Sequence, residues 1–172
     1  AGDEAMLKRM ADTITYRGPD DEGYWCDVND RVGFGHRRLS VVDPSPAGHQ
    51  PMHSASGRYV IAFNGEIYNY QLLRRALGEC PRPNRHLTEE ELNPRWRGHS
   101  DTETLLAGFD AWGIQGTVER AIGMFAFAAW DRQTSTLTLG RDRLGEKPLY
   151  YGWQGRGNDA VFLFGSELKA LR

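Results

Sequence analysis

The chain has 172 residues, 40% of them hydrophobic and 26% charged, a size and balance that suit one folded domain and exclude a disordered chain. Twenty-one Lys and Arg against 23 Asp and Glu give a formal net charge of −2, so no overall field draws it to nucleic acid or an anionic membrane, and small-molecule partners are favoured. No apolar run approaches the roughly 20 residues of a membrane span and the opening residues hold no signal-peptide core, so a cytoplasmic setting is expected.

In chain order, Met6, Leu7, Met10, Ala11 and Ile14 fall at helical spacing and predict an amphipathic helix over Asp3 to Thr15, closed by the breaker cluster Tyr16-Arg17-Gly18-Pro19-Asp20. A helix with one apolar face and nothing before it to pack on leads us to expect a truncated beginning. Gly23 to Val28 and Val32 to Ser40 read as a strand pair around a turn at Asp27-Val28-Asn29-Asp30. The stretch from Asp43 to Pro51 holds three prolines and reads as a loop of lid-like length. Tyr59 to Phe63 is a buried strand, followed by a tight turn region at Asn64-Gly65-Glu66 and then by Tyr68, Leu72, Leu73 and Leu77 at helical spacing. Gly78 to Arg97 is polar and proline-containing, an exposed insertion of open role. Ser100 to Gly113 is the cleanest helix, with Ser100-Asp101-Thr102-Glu103 as a capping box. Strands follow at Met124 to Trp130, Thr136 to Gly140, Tyr150 to Gln154 and Val161 to Gly165, and Ser166-Glu167-Leu168-Lys169 starts a final helix. Two groups of strands with helices between and outside predict α+β layers.

The residue types leave several sites open. Arg37-Arg38 suits a carboxylate grip through the planar guanidinium fork, and equally suits a solvated surface. The Asn64 amide beside the Gly65 N–H is either a donor pair for an oxyanion or an Asn-Gly turn without chemistry. Asp101 would hold an ammonium group, yet an acid at a helix N-terminus needs no ligand to explain it. His49 and His53 are four apart, but Pro51 between them denies a helix, and no metal site is expected. His36, His86 and His99 have no Ser or Cys beside them, and Cys26 and Cys80 are too few and too distant for a disulfide framework.

Taken together, several strings resemble one family. They are Arg17-Gly18-Pro19-Asp20, Gly35-His36-Arg37-Arg38-Leu39-Ser40-Val41-Val42-Asp43, Asn64-Gly65-Glu66-Ile67-Tyr68-Asn69, Ser100-Asp101-Thr102-Glu103, Gly123-Met124-Phe125-Ala126-Phe127, the run from Arg141 to Tyr151, and Ser166 to Leu171. In order and along nearly the whole chain they are similar to the glutaminase domain of glutamine-hydrolysing asparagine synthetases. The resemblance implies the N-terminal-nucleophile hydrolase fold, a four-layer α/β/β/α sandwich, here lacking its first strand. It implies that glutamine is cut to glutamate and ammonia, which an ATP-dependent C-terminal synthetase domain uses to amidate aspartate. By the same resemblance Arg38 holds the substrate carboxylate, Asp101 and Glu66 its α-amino group, Val41 and Val42 belong to the glutamine-binding set, and Asn64 with the Gly65 N–H forms the oxyanion hole. The loop after Asp43 matches a segment that closes over glutamine.

Family members attack with the thiol of a cysteine that opens the mature chain and use its own amine as base. This chain opens with Ala1, and neither Cys26 nor Cys80 matches that position, so the 172 residues are expected not to hydrolyse glutamine as they stand. No cofactor or metal is implied for this domain, while ATP and Mg²⁺ belong to the synthetase half. A second copy of the chain stays among the partners considered. Two other readings stay open: a glutamine-binding regulatory module without catalysis, and the amidotransferase half of a synthetase with a different acceptor.

Overall fold

Alternation along a single strand organises the molecule. The computed structural model describes residues 4–40, 45–79 and 96–172. Strand β4, Tyr59–Ile67, lies in a four-stranded antiparallel sheet of order β3-β4-β5-β6, with β3 at Met52–His53, β5 at Gly123–Asp131 and β6 at Thr136–Arg141. Successive side chains of a strand point to opposite faces, so β4 serves two layers. Tyr59, Ile61, Phe63 and Ile67 join Phe125, Phe127 and Ala129 of β5 in a core cluster. Two helices cover that face: α2, Tyr70–Glu79, contributes Leu73, and α3, Asp101–Val118, contributes Leu105, Leu106 and Phe109. Each such side chain contributes about 1.5–3 kcal/mol by leaving water.

The other phase carries smaller residues. Val60 of β4 meets Ala128 and Trp130 of β5 and Phe34 in a second cluster, against which Trp25, Ala62, Leu137 and Phe164 pack. This face is covered by two hairpins: β1, Asp21–Asp27, with β2, Val32–Arg38, and β7, Tyr150–Gln154, with β8, Val161–Gly165. Outside the first hairpin lies α1, Glu4–Asp12, with Leu7 and Ala11 buried. A Cβ on Gly33 would stand 2.8 Å from Leu7 Cδ1, so glycine lets α1 lie close on β2. Near the C-terminus, Tyr16 and the Arg17 guanidinium both donate to the Glu167 carboxylate, holding its pKa down at about 2 and tying the last turn to the first.

The strands predicted from alternation and the first two helices stand where expected, within a few residues. Four local expectations change. The segment Asn64-Gly65-Glu66 is not a turn: β4 runs through it to Ile67, paired residue for residue with Met124 to Ala126. The final helix is a single 3₁₀ turn, Leu168–Leu171. Within the proline-rich loop Pro46–Gly48 forms a 3₁₀ turn, and just beyond it Met52–His53 forms a short strand that sequence reading did not predict. Helix α3 continues to Val118 through a kink at Gly113, where φ 75° and ψ 168° suit only glycine. Residues 80–95, most of the predicted insertion, lie outside the described residues.

Candidate active site

The two faces of β4 differ in what fills them, and the difference makes room. Where the helix side is packed with Phe, Ile and Leu, the hairpin side offers Ala62, Asn64, Ala126 and Ala128. A cavity of about 1190 Å³ lies there between the sheet, β2, β8 and α1. Arg38, Gln50, Asn64, Gly65, Glu66 and Asp101 all line it. Thus side chains as far apart in sequence as 38 and 101 line one cavity.

Strand phase sorts the arginine pair. Arg37 is committed to ion pairs with Asp12 on α1 and Glu22 on β1, whereas Arg38 lies in the phase of Phe34 and faces the interlayer space. Arg38 keeps 11% of its side chain exposed and donates from Nη1 to the Ser45 carbonyl at 3.1 Å, with Asp21 Oδ2 at 4.0 Å.

Asp101 begins α3 and is buried. Its Oδ2 accepts the Ile67 N–H of β4 at 2.8 Å and its Oδ1 the Thr102 N–H at 2.9 Å. Burial pushes its pKa up, the backbone N–H bonds pull it down, and the nearby Glu66 charge adds to the rise. Two carboxylates thus share one corner, an arrangement that favours a cation. The predicted capping box forms by half: Ser100 Oγ accepts the Thr102 N–H at 3.2 Å, while Glu103 turns away to accept from the Arg97 N–H at 2.8 Å and the Gly98 N–H at 3.2 Å.

Gly65 has no side chain for a structural reason. A Cβ there would run into the Met124 carbonyl and Phe125 Cα of β5. Both ladder groups of Phe125 are turned the other way, its C=O accepting the Asp142 N–H at 2.7 Å and its N–H donating to Asp142 Oδ2 at 3.2 Å. The pair Gly65 and Phe125 therefore exchanges no ladder bonds, and the Gly65 N–H points to the open edge of β4, beside the Asn64 amide on the cavity wall.

Val41, Val42 and Asp43 lie outside the described residues. His49 and His53 part company: His49 Nδ1 pairs with Asp21 Oδ2 at 2.8 Å, and His53 packs edge-on against Trp25. Among the described residues no group of three or more His, Cys, Asp or Glu is placed to hold a metal ion, and no helix is long and apolar enough to cross a membrane. No described cysteine lines the cavity; Cys26 stands across from Gly33 on β1. Among the polar residues lining it to which sequence reading gave no role are His36 and Gln50. The signal for His36 was its phase, shared with Phe34 and Arg38; Gln50, in a loop without period, had none.

The profile of the glutamine amidotransferase domain family matches residues 1–172. An asparagine synthetase [glutamine-hydrolyzing] 3 of Bacillus subtilis is 40% identical over 176 residues, covering 98% of this chain and 25% of that protein. A putative asparagine synthetase [glutamine-hydrolyzing] of Mycobacterium tuberculosis is 38% identical, covering 97% of this chain and 24% of its own length. The amidase chry2 of Gibberella zeae is 36% identical over 145 residues, 84% of this chain and 20% of that protein. The chain thus spans a quarter or less of the length of these relatives.

Proposed function

The chain belongs to the glutamine amidotransferase domain family, and from that premise we propose that its interlayer cavity binds glutamine and is the site where the side-chain amide is cut to glutamate and ammonia. The observation that carries this reading is that Arg38, Asn64, Gly65, Glu66 and Asp101 all line one cavity. Arg38 holds the α-carboxylate by charge-assisted hydrogen bonds, and Asp101 with Glu66 takes the α-ammonium. The side-chain carbonyl then lies against Asn64 and the Gly65 N–H. These donors act when thiolate attack turns that carbonyl oxygen into an anion, and one such donor is worth about 3–4 kcal/mol in the transition state. Collapse of the tetrahedral intermediate expels ammonia and leaves a thioester, which water opens to glutamate.

On this reading the nucleophile is the terminal cysteine that the family uses and neither Cys26, which does not line the cavity, nor Cys80 takes that part, so these 172 residues alone are expected to be inactive. In the full arrangement the domain is a four-layer α/β/β/α sandwich: α2 and α3, the four-stranded sheet, the two hairpins, then α1, with an added strand bearing the terminal cysteine. The cited relatives are about four times longer, which leaves room for a further domain; on our reading it is a C-terminal synthetase domain that binds ATP and Mg²⁺ and passes the ammonia to aspartate, with the cytoplasm as the proposed setting. Val41 and Val42, which lie outside the described residues, join the proposed glutamine-binding set through the family resemblance alone.

The test is glutamate release from glutamine by a polypeptide extended upstream to its native start, beside the same polypeptide with its terminal cysteine changed to alanine. Activity in the first and none in the second is expected. A folded extended polypeptide without activity, or one that keeps activity in the alanine form, refutes the reading. That no described cysteine lines the cavity favours a second reading, a glutamine-binding module without catalysis, which predicts binding in both forms and turnover in neither.

A further inference from the structure

Among the described residues, the N–H groups along the open edge of β4 are taken on both sides of Gly65. Strand β3 pairs with β4 only at Met52 opposite Ile61 and His53 opposite Val60, so beyond Ile61 the edge has no neighbouring strand among the described residues. Along that edge the odd residues present their N–H and C=O groups together. The Phe63 N–H donates to Gln50 Oε1 at 2.6 Å, and the Phe63 C=O accepts from His36 Nε2 at 3.0 Å. Two residues beyond Gly65, the Ile67 N–H is taken by Asp101. The Gly65 N–H lies between these capped positions and faces the cavity.

On the reading that this cavity binds glutamine, we infer that His36 and Gln50 are positioning residues of the oxyanion donor: they clamp the Phe63 backbone from its C=O and its N–H and so aim the next two residues, Asn64 and Gly65, at one point. Their chemistry suits the task. A carbonyl acceptor requires the Nε2–H tautomer of His36, and a backbone donor requires the oxygen of Gln50, so both side chains are fixed in orientation. Burial holds His36 neutral, with a pKa lowered to about 4, while Gln50 is itself buried against β4. Neither residue has another described partner that would account for a buried imidazole and amide on this wall: His36 Nδ1 is buried without one. A shift of about 1 Å in the aim of such a donor is enough to cost on the order of 100-fold in rate.

The experiment measures glutaminase kinetics of the upstream-extended polypeptide as wild type, His36→Ala, His36→Gln and Gln50→Ala. Positioning of a transition-state donor predicts a kcat lower by about 10- to 100-fold in both alanine variants, with KM for glutamine within about threefold. The glutamine side chain can still donate to the Phe63 C=O, so His36→Gln should recover most of kcat. Alanine variants that keep kcat, or that lose activity through KM alone, overturn the inference. An inactive wild type instead refutes the glutaminase reading beneath it. Should an alanine variant fail to fold, hydrogen exchange on the unmutated chain decides: a Phe63 amide exchanging as fast as an open loop overturns the clamp, and slow exchange supports it.

Discussion

Asp101→Asn separates the two forces that meet at the start of α3. The aspartate accepts two backbone N–H groups, Ile67 at 2.8 Å on one oxygen and Thr102 at 2.9 Å on the other. Asparagine has a single side-chain oxygen, and kept on the Ile67 N–H it turns an NH₂ toward the Thr102 N–H, which retains Ser100 Oγ at 3.2 Å as its acceptor. Losing one hydrogen bond to a charged acceptor while that donor stays capped costs about 0.5–1.5 kcal/mol, and losing the negative charge at the helix N-terminus costs about 0.3–1 kcal/mol more. Against this, burial raises the Asp101 pKa, so the folded protein disfavours the charge and removing it returns part of the loss. The balance is a net loss of about 1 kcal/mol, or about 2–4 °C in Tm for a domain of this size. Urea and thermal unfolding of the chain at pH 7 measure it. An Asn variant as stable as wild type, or more so, would refute the reasoning, because desolvation would then outweigh the lost hydrogen bond and the lost charge together.

The other predictions concern ligand and pH. Arg38→Ala should weaken glutamine binding to the upstream-extended polypeptide by about 10- to 100-fold in calorimetry, the worth of one charge-assisted contact to a carboxylate; a change within twofold removes Arg38 from that role. Glutamine binding should also weaken as pH falls through the raised Asp101 pKa, since protons and the α-ammonium compete for the same pair of carboxylates, and an affinity constant from pH 7 to 4 counts against the pair. The Arg58 guanidinium holds the Asp131 carboxyl at about 2, so their contribution is present above the unfolded value near 3.8 and lost as pH falls toward 2. With Arg58 half exposed, Asp131→Asn should cost about 1 kcal/mol at pH 7 and almost nothing near pH 2 in urea unfolding; a gap independent of pH contradicts this. His36 goes the other way in charge: between pH 6.5 and about 4 the unfolded chain binds a proton that the folded chain refuses, so stability falls by up to about 3 kcal/mol as pH drops across that window. His36→Gln should lack that slope, and parallel curves would show that His36 is free to titrate in the folded chain.

The fold was legible wherever one period dominates. Strands β5 and β6 and the start of α3 follow from runs whose phase and turn residues agree, and tertiary packing had no reason to override them. At Asn64-Gly65-Glu66 local chemistry misled, because Asn-Gly is a turn signal. Pairing with Met124 to Ala126 keeps the segment extended, and crowding by β5 requires the glycine. For the same reason the capping box was half right: Glu103 finds the N–H groups of Arg97 and Gly98, which no local motif foretells. In the site, motif resemblance selected Arg38, Asn64, Gly65, Glu66 and Asp101, and all five line one cavity. His36 and Gln50 stayed hidden because their partner is a backbone, and a backbone partner leaves no mark in the identity of the residue it belongs to.

That backbone partner also explains why the cavity lies where it does. An exposed strand edge is a row of donors and acceptors that must be paired, covered or kept in water. A full neighbouring strand beyond Ile61 would satisfy every group on the β4 edge and leave nothing for a ligand. Side chains do the same work one group at a time, and the choice of which group to omit then rests with single residues. Gln50 and His36 take the pair at Phe63, and Asp101 takes the donor at Ile67, so the N–H of Gly65 remains. The even phase of the same strand sets Asn64 and Glu66 beside it, while the odd phase stays locked in the helix-covered core. A donor fixed by a core strand moves little when charge develops against it, which is the condition under which a backbone N–H contributes most to a transition state.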